Sequence, residues 1–153
     1  ANLPGLFAYI EAGGTVVAQY NRPERLRTTR LGPYQLGIAG DAPSHRVTDE
    51  TSPVTFLAPA HPALTTPNRI GPADFEGWVQ ERGAYFPSTW DREHYVPLLA
   101  MNDPGEAPLT SSLLVAADGK GHFVYTGLGF FRQLPAGVPG AYRLFANLIS
   151  LGK

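Results

Sequence analysis

The chain has 153 residues, with 12 Lys+Arg against 13 Asp+Glu, a formal net charge of −1 and no cysteine. Without cysteine there are no disulfides, thiolate nucleophiles or Cys-based zinc or iron–sulfur centres. The near-neutral balance, beside two Trp, seven Tyr and eight Phe, fits neither a basic nucleic-acid binder nor a disordered tail.

Leu3, Leu6, Phe7 and Ile10 recur at i, i+3, i+4 and i+7, the mark of one apolar helical face, and Gly13-Gly14 provides a stop. Residues 15–20 (Thr-Val-Val-Ala-Gln-Tyr) then read as a short buried strand. Helix, glycine stop and buried strand are the second half of a β-α-β crossover. The pattern predicts a strand ahead of the helix, upstream of Ala1, and hence a piece of a longer chain.

Residues 21–53 are polar and punctuated by Pro23, Pro33 and Pro43, which predicts loops with one short strand; 54–57 is a strand candidate. Prolines at 59, 62, 67 and 72 forbid long regular elements there, while Pro72 can open a helical turn reaching toward Trp78. Residues 95–100 are another strand candidate, followed by the turn-rich 102–106. Residues 113–117 and 122–126 flank Asp118-Gly119-Lys120-Gly121, a β-hairpin signal. From 140 to 151, Tyr142, Leu144, Phe145, Leu148 and Ile149 share one side of an amphipathic helix closed by Gly152. No run of about 18 apolar residues is present to cross a membrane as a helix.

Most chemical-looking motifs fail on spacing. Gly119-Lys120-Gly121 lacks the loop that wraps phosphates, and no Ser or Thr follows the lysine to hold magnesium. Gly127-Leu128-Gly129 lacks the third glycine of a dinucleotide fingerprint and follows a hairpin. His45, His61, His94 and His122 show no metal-ligand spacing, and no Gly-x-Ser-x-Gly elbow occurs. No catalytic residue, metal or cofactor is assigned.

The unusual stretch is 78–86, where Trp78, Tyr85 and Phe86 interleave with Glu81 and Arg82, with Trp90-Asp91 just after. Aromatic faces beside acids and an arginine can stack on sugar rings and hold hydroxyls; equally, such rings can fasten long loops onto a sheet, with Glu81 and Arg82 paired. Asp103 and Glu106 share one turn and could serve acid–base chemistry, or be solvated. Arg132, after the hairpin, could meet Glu81, Asp103 or Glu106 as a site or a structural ion pair. The candidate ligand-binding set is Trp78, Glu81, Arg82, Tyr85, Asp103, Glu106 and Arg132.

The strings RVTDE (46–50), His61-Pro62, Thr66-Pro67-Asn68-Arg69-Ile70, GWVQERGAYF (77–86), DPGEAPL (103–109) and GKGHFVYTGLGFFRQLPAGVPGAYRLFANL (119–148) resemble one module. It is the glutamine-amidotransferase-like, ThuA-related domain found C-terminal to the zinc deacetylase domain in bacterial PIG-L family proteins. The resemblance covers nearly the whole chain as a single, N-terminally incomplete domain. It implies an α/β fold: a flavodoxin-like, class I glutamine-amidotransferase-like open sheet of mixed strands, with the hairpin at one side and the last helix on a face. Its first strands would lie upstream of Ala1.

Glutaminase chemistry does not carry over, because it needs a cysteine on a strand-to-helix elbow. Nor does deacetylation, because His61-Pro62-Ala63-Leu64 lacks the paired aspartates of the deacetylase His-Pro-Asp-Asp motif. The resemblance therefore implies a non-catalytic accessory or interaction module in an extracytoplasmic setting. Its partners would be a deacetylase domain or other polypeptide and a glycan, with no nucleic acid and no membrane span. The alternatives are an independent hydrolase working through Glu81, Asp103 or Glu106, and a structural subunit of a larger assembly.

Overall fold

The computed structural model describes residues 3–28, 30–40 and 42–153. Helix α1 (Leu3–Glu11) buries Phe7 and Ile10. At its end the Gly13 N–H donates to the Ile10 carbonyl (2.8 Å) and the Gly14 N–H to that of Tyr9 (2.9 Å), with Gly13 at φ 114°. Those paired bonds satisfy two carbonyls the helix would otherwise orphan, and the left-handed backbone they need is what glycine supplies.

The chain turns straight into β1 (Thr15–Gln19). The loop-rich middle holds β2 (Leu36–Ile38), β3 (Thr55–Phe56), the short helix α2 (Pro62–Thr65) and a 3-10 turn, Pro72–Phe75, with proline in its first turn. Thr29 and Asp41 of this region lie outside the described residues. Then come β4 (Pro87–Trp90), β5 (Tyr95–Pro97) and β6 (Leu99–Ala100), the hairpin of β7 (Leu113–Asp118) and β8 (Gly121–Thr126), α3 (Phe130–Gln133) and α4 (Pro139–Ile149).

The fold is mixed α/β: a four-stranded open sheet in the order β1-β8-β7-β5, plus two-stranded sheets β2-β4 and β3-β6. β1 runs parallel to β8, with Val17 opposite Val124; β7 is antiparallel to both β8 and β5. The hairpin closes on Gly119-Lys120, with Asp118 opposite Gly121 and Gly119 at φ 59°. The single strand expected over 95–100 is divided. Pro97 has no N–H for a ladder and is tolerated because β5 is an edge. Once the Leu98 N–H has bonded the Leu113 carbonyl, the chain leaves the main sheet and pairs with β3.

Side chains alternate across the sheet with period two. Val16, Ala18, Leu114, Ala116, Phe123 and Tyr125 face Phe7 and Ile10 of α1. Val17, Leu113, Val115 and Val124 join the opposite cluster with Ala141, Leu144 and Leu148 of α4. The result is three layers, helix on sheet on helix. Asn147, fully buried in α4, bonds the Asn68 and Ala63 carbonyls and so ties the proline-rich loop to the helix.

β1 is only half-buried although it carries Val16 and Ala18 on one face and Val17 on the other, and among the described residues it pairs on one side alone. Parallel strands are normally covered on both sides. Tyr9 on α1 and Tyr142 and Ile149 on α4 are exposed. No helix among the described residues is long and apolar enough to cross a membrane.

Candidate functional site

β1 and β8 are parallel, so their carboxyl ends lie together, with the Tyr20 N–H bonded to the Thr126 carbonyl at 2.8 Å. There the chain opens a cleft of about 590 Å³ walled by Tyr20, Arg22, Tyr85, Phe131, Arg132 and Leu134. Crevices at the carboxyl ends of parallel strands are where open α/β sheets bind ligands, because the loops diverge there.

Segment 79–86 forms the cleft's second wall and is fastened to the end of β8. The Ala84 N–H donates to the Gly127 carbonyl and the Gly129 N–H to that of Arg82. The buried Tyr125 hydroxyl donates to the Tyr85 carbonyl at 2.8 Å. Gln133 of α3, fully buried, accepts from the Val79 N–H (2.8 Å) and donates to the Val79 and Glu81 carbonyls. This clamp sets where Glu81 emerges.

Three non-glycine residues among those described have left-handed backbone: Tyr20 (φ 50°), Gln80 (φ 68°) and Tyr85 (φ 58°). Tyr20 and Tyr85 line this cleft, and Gln80 is tied to it through Arg132. Such conformations cost about 1–3 kcal/mol each and collect where a site is held in a fixed shape.

Glu81 Oε1 is the hub. It accepts the Tyr20 hydroxyl at 2.7 Å and Arg132 Nε at 3.1 Å, while Arg132 Nη1 donates to Gln80 Oε1. Burial, and then the Glu81 carboxylate as acceptor, push the Tyr20 hydroxyl well above its ordinary range, so it stays a donor. The hydrogen bond to Glu81 likewise raises the Arg132 guanidinium. The Tyr20 ring meets Tyr85 edge-on at 5.0 Å and Phe131 at 4.7 Å between centroids. Phe131 is 50% exposed at the rim, with the Arg132 guanidinium 4.7 Å from its centroid.

The charges match in pairs: Arg132 with Glu81, and Arg22 with Glu24 at 2.7 Å. The charged groups on the cleft wall itself are Arg22 and Arg132, each already paired with one of these glutamates.

Of the seven residues singled out in the sequence, the structure brings Glu81, Tyr85 and Arg132 together here. Glu81 pairs with Arg132 and not with its neighbour Arg82. Trp78 and Arg82 are placed elsewhere, as buried members of the core and the wall of a second cavity. Trp78 stacks on Phe75 at 5.4 Å, and its Nε1 donates to the Asp74 carbonyl. Phe75 and Trp78 fold inward, so Trp78 shows only a small part of its ring, and that part faces the second cavity.

Asp103 is a loop clamp. Its Oδ2 accepts the Thr48 N–H and hydroxyl, its Oδ1 accepts the Asp49 N–H, and Arg46 stands 3.6 Å away. Burial alone would raise its pKa, but the amide and hydroxyl bonds bring it below the ordinary range. Glu106 is exposed beside a separate hollow formed with Pro43, Ser44 and Leu109. Asp103 is thus saturated, and Glu81 and Glu106 stand on different parts of the surface. No three His, Asp or Glu side chains among the described residues gather as a metal site.

The sequence reading left out Tyr20, Phe131 and Gln133. A tyrosine closing an apolar strand and a phenylalanine beside Arg132 were the available signals. No family model, curated protein or solved structure matches the chain.

Proposed function

We propose that this chain is a non-catalytic accessory module similar to the amidotransferase-like domain of PIG-L-type N-acetyl-sugar deacetylases, and that it helps hold a neutral glycan in the cleft at the carboxyl ends of β1 and β8. The observation that carries the reading is the pairing of Glu81 with Tyr20 and Arg132 beneath the exposed Phe131 ring. An apolar sugar face would lie on Phe131, and its hydroxyls would find the carboxylate and guanidinium at the rim. The saturated state of Asp103 speaks against an acid–base pair with Glu81 or Glu106.

The finer fold is part of the same proposal: a flavodoxin-like sheet that continues beyond β1. The unpaired, apolar, half-buried edge of β1 supports it, as do the exposed Tyr9 and Ile149 on the flanking helices. That edge also favours an interaction role, in which a strand of the deacetylase-bearing polypeptide covers β1.

Calorimetric titration with chito-oligosaccharides tests the glycan reading. Binding to the wild type and at least about tenfold weaker binding to Phe131→Ala are expected, a loss of roughly 1.4 kcal/mol. No heat from folded wild-type protein removes the glycan part and leaves the interaction role.

A further inference from the structure

Arg82 is 4% exposed, yet no carboxylate among the described residues lies within ion-pair distance of it. Its Nε and Nη2 both donate to the Ser52 carbonyl, at 3.0 and 2.9 Å, and its Nη1 donates to the Phe75 carbonyl. A guanidinium has five N–H donors, so one on each terminal nitrogen has no protein acceptor among the described residues. Burying a cation without a counter-ion costs several kcal/mol. Burial does push this guanidinium below its ordinary range, with Asp49 and Glu50 only partly offsetting it from a distance. The Ser52 hydroxyl is also buried without a partner among the described residues.

Arg82 lines a cavity of about 500 Å³ that is separate from the cleft. Val54, Phe75 and Trp78 give it apolar walls, and its other charged groups are Glu50 and Glu76. The guanidinium sits 5.6 Å from the Phe75 centroid and 5.7 Å from that of Trp78. A simple anion drawn to Arg82 would be repelled by the two glutamates, and a simple amine would be repelled by Arg82. A molecule carrying both charges meets neither penalty.

We propose that this cavity is a second ligand site, for a free zwitterionic amino acid with an apolar side chain. The carboxylate accepts the unspent Arg82 N–H donors, the ammonium group lies near Glu50 and Glu76, and the side chain packs on Phe75 and Trp78. The site is independent of the glycan reading.

The test uses the emission of Trp78 in a Trp90→Phe background, where it is the sole tryptophan. Leucine is titrated beside 4-methylpentanoate, which lacks the ammonium, and 3-methylbutylamine, which lacks the carboxylate. Leucine should bind at least about tenfold tighter than either analogue, the scale of one charge-assisted interaction. Glu50→Gln/Glu76→Gln, altered only at the solvent-reached lining, should bring leucine down to the level of 4-methylpentanoate. Equal binding of all three, no binding to folded protein, or an unchanged leucine affinity in the double variant would each overturn the proposal.

Discussion

Arg132 and Glu81 are 51 positions apart, yet Arg132 Nε lies 3.1 Å from the Glu81 Oε1 that also takes the Tyr20 hydroxyl. Three chain segments therefore converge on one oxygen: the end of β1, the wall segment 79–86, and α3. The Gln133 clamp on the Val79 and Glu81 backbone keeps that oxygen in place.

The Arg132–Glu81 bridge is partly exposed, with side chains 34% and 13% accessible, so its contribution to stability is small. Glu81→Gln should shift the urea midpoint by no more than about 1 kcal/mol equivalent. Its effect on chito-oligosaccharide affinity should be larger, about tenfold or more. Loss of stability without loss of affinity would make the pair a structural bridge.

Phe131→Ala and Trp78→Ala separate the rim from the core. Phe131 is half-exposed, so its truncation should leave stability within about 0.5 kcal/mol and act on ligand binding. Trp78 is 4% exposed and stacked on Phe75, so its truncation should cost about 3–5 kcal/mol. Thermal melts of the two variants check the contrast.

Gly140 opens α4 directly against the Pro72–Phe75 turn, where a Cβ would stand 1.9 Å from the Asp74 carbonyl oxygen. Helix propensity favours alanine over glycine by about 1 kcal/mol. The backbone clash outweighs that gain, and Gly140→Ala should destabilise by about 1–3 kcal/mol in denaturant unfolding. A stabilised variant would show that α4 can move off the turn.

Two acid-sensitive contacts have different windows. His61 Nδ1 accepts the Ala63 N–H as the cap of α2, and burial followed by the nearby His122 lowers its pKa. The unfolded chain then takes up that proton first. This stability is complete above about pH 6.5 and is lost as pH falls through the lower folded value. Asp103 behaves alike in a more acidic range: its stabilisation is complete above about pH 3.9 and is lost as pH falls through its depressed folded value. Urea midpoints measured from pH 8 to pH 3 should decline in both windows. His61→Asn, which keeps a capping acceptor, should remove the first, and Asp103→Asn should reduce the second, in which Asp49 and Asp91 also titrate below their ordinary range.

Much of the fold was legible in local pattern. The period of Leu3, Leu6, Phe7 and Ile10, the Gly13-Gly14 stop and the Asp118-Gly119-Lys120-Gly121 turn give α1, β7 and β8, although Leu6 is exposed. α4 is present as its pattern predicts, but it buries Ala141, Leu144 and Leu148 while Tyr142 and Ile149 of the expected apolar side are exposed. What lies between was not legible. β4 and β2 pair across 49 positions or more, from segments rich in Pro, Gly and Thr that show no alternation. The site was half legible for the same reason. Glu81, Tyr85 and Arg132 announce themselves as chemistry, but which of Glu81's possible partners it meets depends on the parallel pairing of β1 with β8, a long-range contact. Arg82 illustrates the converse: its neighbour in sequence is Glu81, yet the two side chains leave opposite sides of the wall, Glu81 toward Arg132 and Arg82 toward the Ser52 and Phe75 carbonyls.

The most direct test of the cleft as a glycan site is the amide chemical-shift change in the two-dimensional NMR spectrum on adding chitotriose. The amides of Tyr20, Glu81, Tyr85 and Phe131 should shift with saturation while those of Trp78 and Asp103 stay in place. Unmoved cleft amides, or shifts confined to residues away from the carboxyl ends of β1 and β8, would contradict the glycan reading.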